Sequence, residues 1–110
     1  MKQAEIWYAD LNQVKGNEQA GYRPVVIISG NALNTYMKIV IACPLTTKIK
    51  NYKGNLVLKP TKQNGLDQTS EVLVFHIRSI SKNRLVKRIG NISDAELRQV
   101  KMGLNEMLRY

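Results

Sequence analysis

Cysteine is almost missing from this chain. Cys43 is the only one, which excludes an internal disulfide and any multi-cysteine metal site. It stands in an apolar run and reads as a small buried hydrophobe rather than a reactive thiol. Histidine is as scarce: His76 alone cannot form an acid–base pair of two imidazoles. One His and one Cys also fall short of the three or four ligands of a zinc site. Acids are few and scattered, with no DxD or paired-carboxylate motif of the kind that holds magnesium. No P-loop or dinucleotide fingerprint occurs. Long apolar runs are missing too. The longest, Val25 to Ile28 and Ile39 to Cys43, fall far below the ~20 residues needed to cross a bilayer. The opening MKQAEIWYAD has no apolar core of signal-peptide length, so the expectation is a cytoplasmic protein without a membrane segment.

What the chain has in excess is positive charge. Seventeen Lys and Arg against eight Asp and Glu leave +9 over 110 residues. That balance favours a polyanionic partner: nucleic acid, an acidic protein or an anionic membrane surface. A basic but inert surface is the plain alternative. The membrane is the weakest option, because the terminal helix described below carries both signs on its polar face. The length suits one domain spanning residues 1–110, and 44% hydrophobic residues are ordinary for a globular fold.

Local patterns predict mostly strands. Gln3 to Ala9 mixes aromatic and β-branched residues and reads as a first strand, followed by a polar loop, DLNQVKGNEQAGY. Arg23-Pro24 opens a second strand through Ile28, with proline where a missing amide donor is tolerated. Ser29 to Tyr36 reads as a connection. Lys38 to Pro44 is apolar on both faces and so central. Asn55 to Lys59 is a short strand, Asn64-Gly65 signals a turn between two strands, and Ser70 to His76 reads as another strand. Ile77 to Ser81, one helical turn in SKNRL and a last strand through Val86 and Ile89 follow. Ser93-Asp94-Ala95-Glu96 fits a capping box, and Leu97, Val100, Leu104, Met107 and Leu108 form one stripe on a terminal helix. Five or six short strands and one helix imply a mainly β fold, a small barrel or partly open sheet packed by that helix.

An enzyme built from this inventory must work with Arg, Thr or Ser, an isolated acid and backbone dipoles. RNA cleavage is within their reach, because the substrate brings its own 2′-hydroxyl nucleophile. A guanidinium grips phosphate oxygens bidentately and stays protonated. Alignment and charge stabilisation can supply most of the rate.

Three blocks carry a resemblance. GNEQAGYRPVVIIS is similar to the G-S-E-Q-x-G-x-R-P signature and following strand of MazF/PemK/Kid-type toxins. ACPLTTKIKNYKGN resembles that family's P-[LI]-T-[ST] segment. GLDQTSEVLVFHIRSISKNRL resembles its G-L-x-x-[DS]-S-x-V-x-x-x-Q-I-R-[TS]-I block. The three stand in order and, with the terminal helix, cover nearly the whole chain. The resemblance implies an SH3-like, partly open β-barrel with a C-terminal helix, usually a homodimer. It also implies metal-independent, sequence-specific cutting of single-stranded RNA, mostly messenger RNA, with no cofactor.

Residue by residue, the resemblance implies that Arg23 stabilises the phosphorane and protonates the leaving 5′-oxygen. An arginine paired with an acid at a strand start is the other reading. Thr46 would hydrogen-bond the scissile phosphate; alternatively it bonds its own backbone. Glu18 would orient Arg23 or accept the 2′-hydroxyl proton, with a structural ion pair equally open. Asn17, Gln19, Thr47, Lys48 and Ser70 fall at RNA-contacting positions of the motifs, though Ser70 reads equally as a strand-end cap. Asn17 departs from the common serine, and Gln13-Val14 from the usual proline and its neighbour. His76 replaces the usual glutamine, so it is a structural histidine, a base contact or a pH-sensitive element. Phe75 occupies the place where some plasmid-borne relatives carry an aspartate base, which leaves more of the work to Arg23, Thr46 and Glu18. Arg78 would brace the dimer or contact RNA. Lys15, Lys48, Lys50 and Lys53 would hold the backbone, with affinity that falls as salt rises.

An acidic antitoxin, its tail lying across the same groove, is the partner the resemblance implies, with operator DNA contacted through the complex. The non-enzymatic alternative is a CcdB-type toxin, which uses the same barrel to poison DNA gyrase.

Overall fold

The computed structural model describes residues 1–11 and 21–109. The expectations placed on Lys15, Asn17, Glu18 and Gln19 therefore lie outside the described residues. Strand β1 (Glu5–Asp10) pairs antiparallel with β2 (Tyr22–Ile27), setting Ile6 opposite Val26 and Ala9 opposite Arg23. A short helix α1 (Asn31–Tyr36) leads into β3 (Ile39–Thr46). Then come β4 (Leu56–Leu58), β5 (Ser70–Val72), a 3-10 turn at Val74–His76, β6 (Arg78–Ser81), a second 3-10 turn at Lys82–Arg84, β7 (Leu85–Asn91) and α2 (Asp94–Met107).

β3 is the spine, as its two apolar faces require. One edge takes β2, with Val25 opposite Pro44, Val26 opposite Cys43 and Ile27 opposite Ala42. The other edge is shared: β6 pairs along Ile39–Ala42, and β5 along Leu45–Thr46. The sheet runs β4-β5-β3-β2-β1-β7 with β6 beside β3. This is the mainly β fold with a C-terminal helix that the sequence implies, a sheet curled into a partly open barrel. Pro24 sits inside β2, level with Tyr8 of β1, and the ladder to β3 ends beside it, where its missing amide donor is tolerated.

Alternation along the strands makes two cores. Val26, Ile28, Cys43, Leu45, Leu58 and Val72 gather with Val100 of α2, against which Leu97 and Leu104 pack. Val25, Ile27, Val40, Ala42 and Ile80 form the other cluster with Ala9 and Leu85. Each such Val, Leu or Ile side chain removed from water contributes about 1.5–3 kcal/mol. Burial also pushes the Cys43 thiol up to about 12, so it stays protonated and inert in the folded protein.

Four local outcomes differ from the sequence reading. The connection at 29–36 holds α1, which lacks an apolar stripe and is secured by polar groups instead. The Ser29 hydroxyl donates to Asn34 Oδ1 and accepts from the Ile41 amide, while Asn34 Nδ2 donates to the Ser29 carbonyl. The strand expected to reach His76 stops at Val72, because the Val74 amide donates to Asn55 Oδ1 rather than to a neighbouring strand. Asn64-Gly65 is a turn but not a tight hairpin. Asn64 Oδ1 accepts from Thr61 and Leu66, knotting the long 59–69 loop. Gly65, at φ +66, lies against the Ile89 carbonyl, and the Asn91 amide donates to the Gln63 carbonyl at 2.9 Å, so this loop seals the free side of β7. Finally, Met107 and Leu108 of the predicted stripe end exposed, past the last strand that α2 covers.

The capping box forms as read: the Glu96 amide donates to Ser93 Oγ and the Ser93 amide to Glu96 Oε1. Midway along α2, Gly103 presses against Gly54, and a Cβ there would run into the Gly54 carbonyl oxygen. Alanine normally gains about 1 kcal/mol over glycine inside a helix. Overpacking a tight contact costs about 1–3 kcal/mol and should outweigh it. Gly103→Ala is therefore expected to lower the urea midpoint; a raised midpoint would show that the α2 contact yields freely.

Candidate active site

The groove begins where the β2–β3 ladder ends. Continuing that pairing two residues past Val25 and Pro44 brings Arg23 level with Thr46, and both line one depression of about 530 Å³. Alternation puts them on the same face as buried Val25 and Ala42, so a rigid core lies behind them. Arg23 is half-buried, and among the described residues no carboxylate pairs with it. Thr46 Oγ1 accepts from the Lys48 amide at 3.1 Å. That is the backbone bond a loop threonine makes, and here it uses the oxygen's acceptor side only. The hydroxyl proton stays free to donate into the groove.

Two walls complete the depression. One is the stretch after β3, bringing Thr47, Lys48, Lys50 and Tyr52; the other is the 3-10 turn with Phe75 and His76. Among the described residues, every charged side chain lining it is a cation. The surface is thus shaped for an anion with apolar rings attached.

A buried carboxylate holds the first wall. Glu71, opposite Thr46 on β5, is fully buried. Its Oε1 accepts from the Lys50 and Asn51 amides at 2.7 and 2.8 Å, and its Oε2 from the Tyr52 amide at 3.0 Å and Asn55 Nδ2 at 2.9 Å. Asn51 takes φ +56 there, a left-handed conformation that Asn tolerates. Burial pushes the Glu71 carboxyl up, but the Asn55 side chain and the Asn51, Lys50 and Tyr52 amides outweigh it and hold the group below the ordinary carboxylate range. Asn55 in turn accepts from the Val74 amide at 3.0 Å, so one carboxylate ties both walls together.

Of the residues singled out in the sequence, Arg23, Thr46, Thr47, Lys48 and His76 meet in this groove, with Lys50. Ser70 does not line it: its hydroxyl is buried and donates to the Gln68 carbonyl at 2.9 Å, the cap-like role. Arg78 is exposed on β6, level with Ala42 and outside the groove. Lys53 lies on a different hollow of about 540 Å³ between α2 and 53–56. That hollow also carries Glu106 and two methionines, a poor match to phosphate. Glu71, Tyr52 and Tyr22, which also lines the groove, were missed. The one signal for Tyr52 was its place inside the basic run KIKNYK.

Residues 2–108 match a family described as PemK-like, MazF-like toxin of type II toxin-antitoxin system. A protein named endoribonuclease MazF, from Staphylococcus saprophyticus, is 35% identical over 102 residues, covering 91% of this chain and 84% of its own length. The fold is similar to that of a mycobacterial endoribonuclease solved in complex with its cognate antitoxin, with a TM-score of 0.82 at 22% identity over 100% of this chain and 98% of that one. It is equally similar to MazF from Deinococcus radiodurans, with a TM-score of 0.82 at 24% identity over 100% of this chain and 97% of that one. At such identities the two structures speak for the fold alone.

Proposed function

This chain belongs to the PemK-like, MazF-like toxins of type II toxin–antitoxin systems, and from that premise we propose that it cuts single-stranded RNA in the groove between β2, β3 and the Val74–His76 turn. It is an endoribonuclease of the MazF kind; nothing in these similarities favours the gyrase-binding toxins that share the barrel. The observation that carries the site is Arg23 standing level with Thr46 in a groove whose described charges are all positive.

The reaction is an internal transesterification. The 2′-oxygen bonds to phosphorus as its proton passes to a base, and the bond from phosphorus to the 5′-oxygen breaks. The products are a 2′,3′-cyclic phosphate and a 5′-hydroxyl. Charge builds on the phosphoryl oxygens in between. Arg23 meets it with two parallel N–H donors and Thr46 with its free hydroxyl proton. The departing alkoxide is a stronger base than neutral guanidine, so a proton passes downhill from Arg23 to the leaving oxygen, and the proton taken up from the 2′-hydroxyl then returns to restore the guanidinium. Glu18, by its place in the motif, takes the 2′-proton. Lys48 and Lys50 hold the strand through phosphate contacts. The substrate supplies its own nucleophile, so the reaction requires no metal-activated water.

The partner proposed is an acidic antitoxin tail, whose charge complements the groove and would cover it. A homodimer, operator contact through the antitoxin complex and a cytoplasmic setting belong to the same proposal. Among the described residues no helix is long and apolar enough to cross a membrane.

Purified protein is expected to cut single-stranded RNA in EDTA and leave a cyclic phosphate. A substrate with one 2′-deoxy nucleotide at the cut should survive intact. Cutting of that deoxy substrate would end the 2′-hydroxyl mechanism, and inertness toward diverse RNA pools would end the nuclease reading itself.

A further inference from the structure

The chain has a single phenylalanine, and it is not in the core. Phe75 is 45% exposed and Tyr52 is 52% exposed, both at the groove. Leaving two large rings in water at one spot is costly unless something else covers them. Their placement is fixed, not loose. Tyr52 and Phe75 meet edge to face, with centroids 5.8 Å apart and planes at 73°. Phe75 and His76 do the same at 4.5 Å and 83°. Even with both edge-to-face contacts made, Tyr52 and Phe75 each keep about half of their surface in water, so flat apolar surface remains for a third party. The backbone beneath both rings is pinned by one assembly: Glu71 captures the Tyr52 amide, and Asn55 captures the Val74 amide.

Resting on the nuclease reading above, we propose that Tyr52 and Phe75 form a stacking seat for one unpaired base of the RNA, adjacent to the scissile phosphate. Lys48 and Lys50 hold the phosphates on either side, and the rings take the flat face between them. Aromatic rings beside cations match a single strand, whose repeating unit is an anion joined to a planar base. A double helix keeps its base faces stacked on one another and offers nothing to such a seat. The seat sits on two segments tied by a single carboxylate, so its rings are in place before RNA arrives.

The experiment uses a ten-nucleotide, all-DNA strand of the cut sequence, which is not cleaved, with 2-aminopurine walked through each position. The cut sequence comes from sequencing the ends of RNA fragments made by the wild-type protein. Wild type is expected to quench the probe strongly at one position next to the cut. Phe75→Leu and Tyr52→Leu, which keep apolar bulk without a ring, should abolish that local quench and weaken binding about tenfold, as loss of one stacked base does. Circular dichroism and melting of both variants check that the fold is intact. If folded variants keep the quench and bind within twofold of wild type, the seat is wrong while the nuclease reading stands. If wild type cuts no RNA, the parent reading fails first, and the seat fails with it.

Discussion

Arg23→Ala is expected to fold normally and to lose at least about 10²–10³-fold in kcat/KM for RNA cleavage, the effect of deleting one donor aimed at developing charge. The residue is half-buried, and among the described residues no carboxylate loses a partner when it goes. The melting temperature should therefore stay close to that of wild type, which separates lost chemistry from lost structure. Arg23→Lys should recover only part of the loss, since an ammonium keeps the charge but not the planar pair of donors. Thr46→Val, equal in size, removes the hydroxyl that would donate to phosphate and also the acceptor for Lys48. It should reduce cleavage by about 10–100-fold, with Thr46→Ser restoring most of it. Undiminished cutting by a folded Arg23→Ala protein would move the active site elsewhere on the molecule.

Glu71→Gln should be the most damaging substitution that leaves side-chain shape unchanged. The carboxylate offers two oxygens to four donors. An amide retains one oxygen and turns an N–H₂ group toward two of them. Hydrogen bonds to charged acceptors contribute about 1.5–3 kcal/mol each and are not additive, so a loss on the order of 3 kcal/mol is expected. The pH dependence distinguishes this from a generic core defect. The carboxyl of Glu71 lies below its ordinary value in the fold, so its contribution is fully present above the unfolded pKa, about 4.3. It disappears as pH falls through the lower folded value. Urea midpoints of wild type and Glu71→Gln should be well separated at pH 7 and converge in that acidic window. Glu5, also held low, cancels because both proteins carry it. A gap that persists unchanged at the acid end would mean the charge is not what matters. Because Glu71 anchors Tyr52 and, through Asn55, the turn bearing Phe75, the same variant should also bind single strands more weakly at neutral pH.

The elements legible in the sequence were those written in side-chain chemistry or period. Ser93 with Glu96 announced α2, and the doubly apolar run before Pro44 announced the central strand. The ordered motifs placed Arg23, Thr46 and Lys48 together because such motifs encode a shared three-dimensional arrangement. What stayed hidden depended on long-range partners. α1 has no periodic stripe, and its stability comes from Ser29 and Ile41, outside the helix itself. Glu71 drew no reading from the sequence, since nothing local says that three amides from 50–52 will converge on it. Tyr52 and Phe75 are far apart in the chain, so their contact exists only once β5 and the loop before β4 have packed. Ser70 had two readings of equal standing in the motif, and its bond to Gln68 favours the cap.

The guanidinium and the hydroxyl are contributed by two different strands, and their spacing is fixed by buried Val25, Ile27, Ala42 and Cys43 rather than by anything in the groove. With these two as the proposed cutting groups, activity would come only with the finished fold. A chain still on the ribosome, or held open by a chaperone, possesses both groups but no fixed distance between them. Under that proposal a restraining partner would act on the completed molecule, by covering the groove.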